Sequence, residues 1–310
     1  MSFSGEVKEE LARHVGQARH CQIAELAAIL ACCAECGEGE NGARRLEIRT
    51  ENSAVVRKCF TLLKKTFNID TDIFEKTYAA QENAGIYQMV LEGADADSVC
   101  SACRLTTRHG QVSPLLLKNA CCRRSYLRGI YLSIGSMSNP KRSYHLEFVC
   151  VDMPQAEQLC GVLSGFELDA KITRRKRYYV VYMKEGAGIV DLLNIMEAHV
   201  SLMELENLRI LKDISNHVNR RVNCEAANIV KTVNAASRQV EDIKLIQEKR
   251  GLSSLPENLQ RTAQLRLEWP DATLGELAQK MTPPIGKSGM NHRLRKLSEI
   301  AEELRASMPT

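Results

Sequence analysis

An internal repeat constrains the fold of this chain more than any other sequence feature. Positions in the first half of residues 1–215 match positions 99 to 101 residues further along. The matched pairs are Leu46-Glu47-Ile48 with Leu146-Glu147-Phe148, Cys59 with Cys160, Leu63 with Leu163, Asp70 with Asp169, and Ile73 with Ile172. The order of predicted elements repeats as well. We therefore infer an internal duplication of an αββαββ-type unit, with repeats at about 20–105 and 121–198.

Each repeat opens with a helix of small and apolar residues, predicted at 22–35 in the first copy and at 124–136 in the second. A helix that is apolar on most of its surface is buried on several sides. Two such helices can pack closely around a pseudo-twofold axis, and the strands of the two copies then form two sheets. The predicted strands are 44–50, 70–77 and 85–92 in the first copy, and 143–151, 169–175 and 178–184 in the second.

Residues 273–305 have the pattern of a helix-turn-helix. Thr273 and Glu276 form a capping box, which predicts a helix start. Pro283, Pro284 and Gly286 end that helix, and Ser288 is the expected N-cap of the next. Apolar residues then recur at helical spacing along the second helix, which predicts an inward stripe. These residues are Met290, Leu294, Leu297, Ala301 and Leu304. A long helix at 224–247 and a shorter one at 257–268 are predicted to precede the motif.

The outward side of the second helix carries polar and basic residues suited to DNA. The first turns of a recognition helix enter the major groove, where Asn reads adenine and Arg reads guanine. The candidates for base contacts are Asn291, His292, Arg293 and Arg295, and those for phosphate contacts are Lys287, Ser288 and Lys296. Arg220 and Arg221 are candidates for further backbone contacts. The alternative interpretation is a solvated basic face on a small helical bundle.

Charge is segregated along the chain, although the net charge is only +4. Residues 98–146 contain eight Lys and Arg residues and no acid: Arg104, Arg108, Lys118, Arg123, Arg124, Arg128, Lys141 and Arg142. A second basic run at 171–177 leads into Tyr178 and Tyr179. Patches of this kind favour binding to a polyanion.

The twelve cysteines are expected to be reduced thiols in a cytoplasmic protein, because residues 1–20 are charged throughout and do not read as a secretory signal. No apolar run is long enough to span a membrane. Cys33-x2-Cys36 and Cys100-x2-Cys103 have the spacing of zinc ligands, and Cys32, Cys121 and Cys122 are further candidates. Cys33, however, falls inside an apolar helix, and Cys121-Cys122 can equally be buried beside the second core helix. Free cysteine also behaves as a small core residue. We therefore expect neither a metal site nor a cofactor, and the lack of a Gly-rich phosphate loop leaves nucleotide binding without support. A small-molecule substrate is not expected either.

Residues 26–34 and 127–135 resemble degenerate copies of the core helix of LAGLIDADG homing endonucleases. Such a duplication joined to a C-terminal helix-turn-helix resembles the WhiA family of bacterial transcription regulators. Strings similar to that family occur at 1–11, 121–129, 143–147, 219–228 and 287–297. The first copy departs from the pattern in having Cys33-Ala34 where many members of the duplication keep a glycine.

The resemblance implies an α+β fold in which a LAGLIDADG-like domain (1–215) precedes an all-α helix-turn-helix domain (219–310). It also implies sequence-specific binding to double-stranded DNA, in the nucleoid, in control of sporulation or of cell division and chromosome segregation. The N-terminal domain would be an inactive scaffold that docks other transcription or cell-division proteins or makes weak contacts with DNA.

Enzymatic activity is not expected from this chain. A LAGLIDADG nuclease needs an acid at the end of each core helix to hold Mg²⁺, and these positions are Cys33 and Ile134. Two alternatives remain open. One is a nuclease with acids from other positions, and the other is a nucleoid-associated or protein-interaction scaffold with mainly non-specific DNA binding.

Overall fold

The computed structural model describes residues 2–39, 42–77, 85–105 and 110–307. Arg108 of the acid-free segment lies outside these residues. The chain forms two compact units, Met1–Lys212 and Asp213–Thr310, and the boundary falls within one long helix. The two units are described in turn.

The first unit contains a leading helix and two copies of one arrangement of elements. Helix α1 (Phe3–Arg13) leads, and the Ser2 side chain accepts a hydrogen bond from the Gly5 N–H at its start. The first copy is α2 (Arg19–Cys33), β1 (Ala34–Glu38), β2 (Arg44–Thr50), α3 (Ser53–Phe67), β3 (Phe74–Thr77), β4 (Gly85–Glu92) and α4 (Gly93–Ala102). A short 3-10 helix (Pro114–Leu117) connects it to the second copy. The second copy is α5 (Ala120–Ile134), β5 (Gly135–Met137), β6 (Leu146–Cys150), α6 (Met153–Ser164), β7 (Lys171–Arg175), β8 (Tyr178–Met183) and α7 (Gly186–Met196).

Each copy forms one four-stranded sheet, and the strand orders are equivalent: β1-β2-β4-β3 and β5-β6-β8-β7. All the strand pairs are antiparallel. One face of each sheet is buried, through alternate residues such as Ile48 in the first copy and Phe148 in the second. Glu47 and Glu147, their chain neighbours, point to the opposite face, because side chains alternate along a strand. The duplication and the predicted α+β fold are thus confirmed.

The core helices α2 and α5 pack against each other at the centre of the first unit. The two helices come very close at Gly129, where an added Cβ would lie 2.5 Å from the Glu25 carbonyl oxygen and 2.8 Å from the Ala28 Cβ. Only a residue without a Cβ permits this distance between the two helices. The buried residues of both helices belong to the same hydrophobic core.

Strands β1 and β5 begin directly where the core helices end, a feature that the sequence analysis missed. The predicted helices ran to residues 35 and 136, whereas α2 ends at Cys33 and α5 at Ile134. Ala34 and Gly135 already have extended backbone angles, and the chain continues into pairing with β2 and β6. No proline marks the transition. The helices end because their next residues pair with the following strand, and helical periodicity does not detect this pairing.

The second unit is all-helical apart from short connections. Helix α8 (His199–Lys249) is followed by a 3-10 turn (Leu252–Ser254), α9 (Glu257–Glu268), α10 (Leu274–Lys280) and α11 (Lys287–Ala306). Helix α9 has its predicted bounds. The expected start of a helix at residue 224 is wrong, because α8 runs without interruption through residues 219–223. The core of this unit joins the last part of α8 to α9, α10 and α11 through residues such as Ile243, Ala263, Leu277 and Leu294. Among the described residues, no helix has the length and apolar character needed to cross a membrane.

Candidate nucleic-acid interface

The capping box predicted at the start of α10 is present. The Thr273 backbone N–H donates to Glu276 Oε2 at 2.7 Å, and the Glu276 N–H donates to Thr273 Oγ1 at 3.3 Å. The hydrogen bonds from Thr273 hold the pKa of the Glu276 carboxyl below its usual value, because they favour its charged form. The charged capping box therefore defines where the first helix of the motif begins.

The connection between α10 and α11 is closed by one backbone bond and by apolar burial. The Ile285 N–H donates to the Ala278 carbonyl at 3.1 Å, and Met281 is buried in the core of the unit. Helix α11 begins at Lys287 with Gly286 at the N-cap position, and no side chain caps it. The prediction of Ser288 as N-cap is therefore wrong. Ser288 lies in the first turn, where its N–H is among the backbone donors that a helix leaves unpaired.

The inward side of α11 is the predicted stripe. Met290, Leu294, Leu297 and Ala301 are buried, and Leu304 packs against them partly exposed. This packing fixes the rotation of α11 about its own axis. Residues on the other side of the helix are consequently held towards solvent.

Seven of the nine candidate DNA contacts lie together on the first ten residues of α11. Six of these are exposed: Lys287, Ser288, Asn291, His292, Arg295 and Lys296. Arg293 is half-buried. Arg295 Nε lies 3.5 Å and Lys296 Nζ 3.3 Å from the Glu299 carboxylate, one turn further along the helix. Within the described residues, the ion pairs do not include Lys287 or Arg293. From Lys287 onward, α11 contains no acidic residue before Glu299.

Arg220 and Arg221, the other two candidates, lie within α8 and not in a loop before it. Both are exposed, and Arg221 Nε lies 3.1 Å from the Glu225 carboxylate of the next helical turn. They belong to the same compact unit as α11. The described contacts do not bring them to the α11 surface.

Arg266, on α9, holds the segment that precedes α10. This role was not predicted from the sequence. Its guanidinium donates to the Ala272 carbonyl at 2.6 Å, to the Pro270 carbonyl at 3.2 Å and to Gln239 Oε1 of α8 at 2.8 Å. Burial lowers the pKa of Arg266. The segment that leads into α10 is thereby tied to α8. The available signal was helical register, because Arg266 continues the inward positions Leu259, Thr262 and Ala263 of α9.

A second tie holds α11 itself. Arg305 donates to the Asp242 carboxylate of α8 at 2.6 Å, and the Asp242 side chain is buried. An exposed pair, Arg238 with Glu302 at 2.7 Å, lies between the same two helices. Hydrogen bonds to a charged group contribute more than those between neutral groups. The C-terminal half of α11 thus carries these ion pairs to α8, and the N-terminal half carries the candidate DNA contacts.

In the first unit, Cys33 and Ile134 lie at the ends of the core helices, as predicted. They line one cavity together with Glu35, Glu47 and Arg49. Glu35 and Glu47 face each other in the register of β1 and β2. Arg49 Nε donates to Glu47 Oε1 at 2.6 Å, and Gln88 donates to the same oxygen. The hydrogen bond from Arg49 holds the pKa of Glu47 below its usual value.

The acid-free segment 98–146 is not a uniform basic surface. Arg128 is buried and contacts the carboxylates of Glu25 at 3.4 Å and Glu197 at 2.8 Å. The Arg123 guanidinium lies 5.6 Å from the centre of the Phe166 ring. Lys118, Arg124, Lys141 and Arg142 are exposed. The expectation that the whole segment suits a polyanion is therefore wrong at Arg128, because its charge is used inside the protein.

The basic run at 171–177 is exposed on an edge strand, since β7 pairs only with β8. Arg175 lies 3.3 Å from the Glu147 carboxylate of β6, and Arg177 stacks over the Tyr178 ring at 4.9 Å. Lys171 and Arg174 add two exposed side chains. This edge keeps a basic character with one acid beside it.

Two αββαββ copies packed through their core helices and followed by a helix-turn-helix define a class: proteins with a duplicated LAGLIDADG-like domain and a C-terminal DNA-binding-type motif. Three family models match along this chain. They are the WhiA N-terminal LAGLIDADG-like domain at residues 19–105, the WhiA LAGLIDADG-like domain at 123–215, and the WhiA C-terminal HTH domain at 218–301. The chain belongs to the WhiA family, as its sequence patterns indicated.

Relatives match over nearly the whole chain. "Probable cell division protein WhiA" of Lachnoclostridium phytofermentans is 48% identical over 312 residues, covering 98% of this chain and 100% of that protein. The protein of the same name from Alkaliphilus oremlandii is 46% identical over 314 residues, covering 98% of each. The crystal structure of full-length DUF199/WhiA from Thermatoga maritima superposes with a TM-score of 0.60 at 26% identity, covering 98% of this chain and 99% of that one. Both units therefore occur together in a solved relative.

Proposed function

We propose that this protein is a sequence-specific DNA-binding regulator that reads the major groove with the N-terminal half of α11. One observation carries the proposal. The buried stripe and the Asp242–Arg305 contact fix α11 on the unit, and its first ten residues then present polar and basic side chains without an acid. A rigid helix with this surface has the properties of a recognition helix.

The candidate residues divide into two roles by their chemistry. Asn291, His292, Arg293 and Arg295 would contact base edges, since amide and guanidinium groups match the hydrogen-bonding patterns of adenine and guanine. Lys287, Ser288 and Lys296 would contact phosphates, two of them at the helix N-terminus. Arg220 and Arg221 would add backbone contacts from α8.

We further propose that the two parts of the chain have separate roles. Residues 1–215 would form a scaffold, and residues 219–310 would recognise DNA. The scaffold would dock other transcription or cell-division proteins and would not cleave DNA. Cys33 and Ile134 lack the oxygen ligands that Mg²⁺ prefers, and Glu47 beside them is already engaged by Arg49. A role in cell division is supported by the names of the relatives. A part in chromosome segregation or sporulation is proposed from the family resemblance alone. The expected location is the cytoplasm, on the nucleoid.

The test is binding of the full chain to a pool of genomic duplexes, followed by fluorescence anisotropy across a salt series and by sequencing of the bound fraction. We expect one short motif to be enriched and the preference to persist as the salt concentration rises. Arg293→Ala should cost about 1–3 kcal/mol on the enriched site and little on random duplex, as for a lost bidentate base contact.

Lys296→Ala is the matched control, since a phosphate contact should weaken both duplexes equally and reduce the salt slope by about 1. An equal loss for Arg293→Ala on both duplexes would reassign Arg293 to the phosphate group. Motif-free binding that collapses with salt would favour the non-specific scaffold instead. Nicking of supercoiled plasmid with Mg²⁺ that disappears in Glu47→Gln would show a nuclease.

A further inference from the structure

Four side chains able to bind a metal converge where the two core helices begin. His20 and Cys21 lie in the first turn of α2, and Cys121 and Cys122 lie in the first turn of α5. Their ligand atoms all lie within 4.8 Å of one another. His20 Nδ1 is 3.2 Å from Cys122 Sγ and 3.4 Å from Cys21 Sγ. Three sulfurs and one imidazole nitrogen thus face a common centre.

The internal duplication explains why these residues meet. His20 and Cys121 are separated by 101 positions (121 − 20), and so are Cys21 and Cys122 (122 − 21). Cys59 and Cys160 have the same separation. Equivalent positions of the two copies therefore face each other across the pseudo-twofold axis, so that each core helix supplies one adjacent pair of ligands.

We propose that these four residues form a structural Zn²⁺ site of the Cys₃His type that joins the starts of α2 and α5. Around a tetrahedral zinc with Zn–S of about 2.3 Å and Zn–N of about 2.0–2.1 Å, sulfurs lie about 3.8 Å apart and sulfur and nitrogen about 3.6 Å apart. The two sulfur–nitrogen distances are within a few tenths of an ångström of that value. The other pairs of ligand atoms lie at most 4.8 Å apart, so zinc binding would bring them closer by no more than about 1 Å.

The exposure of the four residues fits an ion that enters from solvent and is held from below. Cys21 and Cys122 are buried, with 7% and 4% of their surface exposed, whereas His20 and Cys121 are exposed. The inner pair would provide a fixed base, and the outer pair would close over the ion. Four ligands fill a tetrahedral shell, which is typical of structural and not of catalytic zinc.

The charge of the site can be balanced on zinc binding. Three Zn–S bonds would form while three thiol protons pass to solvent. The resulting site has a net charge of −1, and Arg124 lines the same groove as Cys121.

The donor set separates this site from other metal chemistry. Thiolate and imidazole select zinc or another soft divalent ion and not Mg²⁺. The cluster lies at the starts of the core helices, whereas the cavity with Glu35 and Glu47 lies at their ends. A four-iron cluster would hold its ligand sulfurs farther apart than one ion does. The proposal does not depend on the DNA-binding function.

The test is the zinc content of the full chain, purified under reducing conditions and without a metal-affinity tag, by inductively coupled plasma mass spectrometry. We expect one zinc per chain. Cys121→Ser and His20→Ala remove exposed ligands and should leave the fold intact, and each should abolish stoichiometric binding. Cys36→Ser, at another exposed cysteine, is the matched control and should retain the zinc.

Two further measurements make the outcome decisive. The melting temperature of the wild-type chain should rise with free Zn²⁺ and fall with a chelator, while that of Cys121→Ser should respond to neither. Co²⁺ should give the d–d absorption of a tetrahedral thiolate site in the wild type alone. The proposal is overturned if the wild type neither retains nor takes up zinc, if the ligand variants bind it like the wild type, or if peptide mapping recovers Cys21 and Cys122 as a disulfide.

Discussion

Two groups of cationic side chains, one in each unit of this protein, have opposite roles. In the first unit, Lys58 and Arg128 are buried against the Glu25 carboxylate, which is itself fully buried; Lys58 Nζ lies 2.8 Å from Glu25 Oε1. In the second unit, Lys287 and Arg295 stand on the exposed side of α11. The first pair makes its contacts inside the protein, and the second pair is exposed to a ligand.

The buried cations also donate hydrogen bonds to groups other than Glu25. Lys58 also donates to the carbonyl oxygens of Leu11, at 3.1 Å, and His14. Arg128 donates to Ser125 Oγ at 2.8 Å in addition to its two carboxylates. Burial lowers the pKa of Lys58, and Glu25 opposes that shift. The difference between the two groups teaches that burial and pairing, and not the density of basic residues, separate a structural cation from one that can bind DNA.

Removing the buried carboxylate should have the largest effect. Glu25→Gln leaves Lys58 and Arg128 buried with the negative charge of Glu197 alone, and breaking a buried pair costs about 3–5 kcal/mol. We expect the free energy of unfolding of the full chain, measured by urea denaturation with a probe in the first unit, to fall by about this amount.

Glu9→Gln is the matched control for that substitution. Glu9 accepts from the exposed Arg57 at 2.6 Å, and a surface pair contributes about 0–1 kcal/mol. Equal losses for the two variants would contradict the distinction between buried and exposed cations. A loss below about 1 kcal/mol for Glu25→Gln would show that the cluster tolerates an unpaired charge.

A substitution at the close approach of the core helices should have the next largest effect on stability, because the packing of these helices also buries Arg128. In Gly129→Ala the new Cβ would lie 2.5 Å from the Glu25 carbonyl oxygen, so the helices must move apart. Overpacking of this kind costs about 1–3 kcal/mol. Thermal unfolding followed by circular dichroism should show the corresponding drop in the melting temperature.

A second helical glycine provides a control, because its substitution by alanine should raise the stability of the chain instead of lowering it. Gly161 lies within α6, and an added Cβ there would meet no atom within 4 Å. Gly161→Ala should therefore stabilise the chain by about 0.5–1 kcal/mol through its higher helix propensity. If both alanines stabilised the chain, the packing of α2 on α5 would be looser than the distances at Gly129 indicate.

Repeated and periodic patterns allowed much of this architecture to be predicted. The matches of Leu46 with Leu146 and of Leu63 with Leu163 predicted the duplication, because equivalent core positions need the same apolar side chains. The capping box at Thr273 and the α11 stripe predicted the helix-turn-helix, because both arise from contacts within a few helical turns. The helical register of α11 alone predicted seven of the candidate DNA contacts.

What could not be predicted depends on contacts between distant parts of the chain. Arg124 and Arg128 look alike in sequence, and only the packing of α5 against α2 buries one and exposes the other. Of the zinc ligands proposed above, Cys121 and Cys122 are candidates from the sequence, whereas His20 and Cys21 are not. The two adjacent pairs are far apart along the chain, and the duplication brings them together only in the folded protein.

The smallest expected effect tests the exposed side of the comparison. Glu299 is the first acid after Lys287 on α11, and its carboxylate lies within 3.5 Å of Arg295 and Lys296. Glu299→Gln should change the free energy of unfolding by no more than about 0.5 kcal/mol, as for an exposed helical pair. It should also strengthen binding to random duplex by about 1 kcal/mol or less, because it frees two cations and removes one repulsive charge.

The gain from Glu299→Gln should shrink as the salt concentration rises, since exposed charges are screened. Anisotropy at two salt concentrations measures it, with Glu303→Gln as the control. Glu303 lies one turn further along α11 and is exposed, so its loss changes the net charge equally without freeing Arg295 or Lys296. A larger gain for Glu299→Gln would place the DNA near the N-terminal half of α11. Equal gains would mean that only net charge matters, and the exposed cations of α11 would then lose their distinction from the rest of the surface.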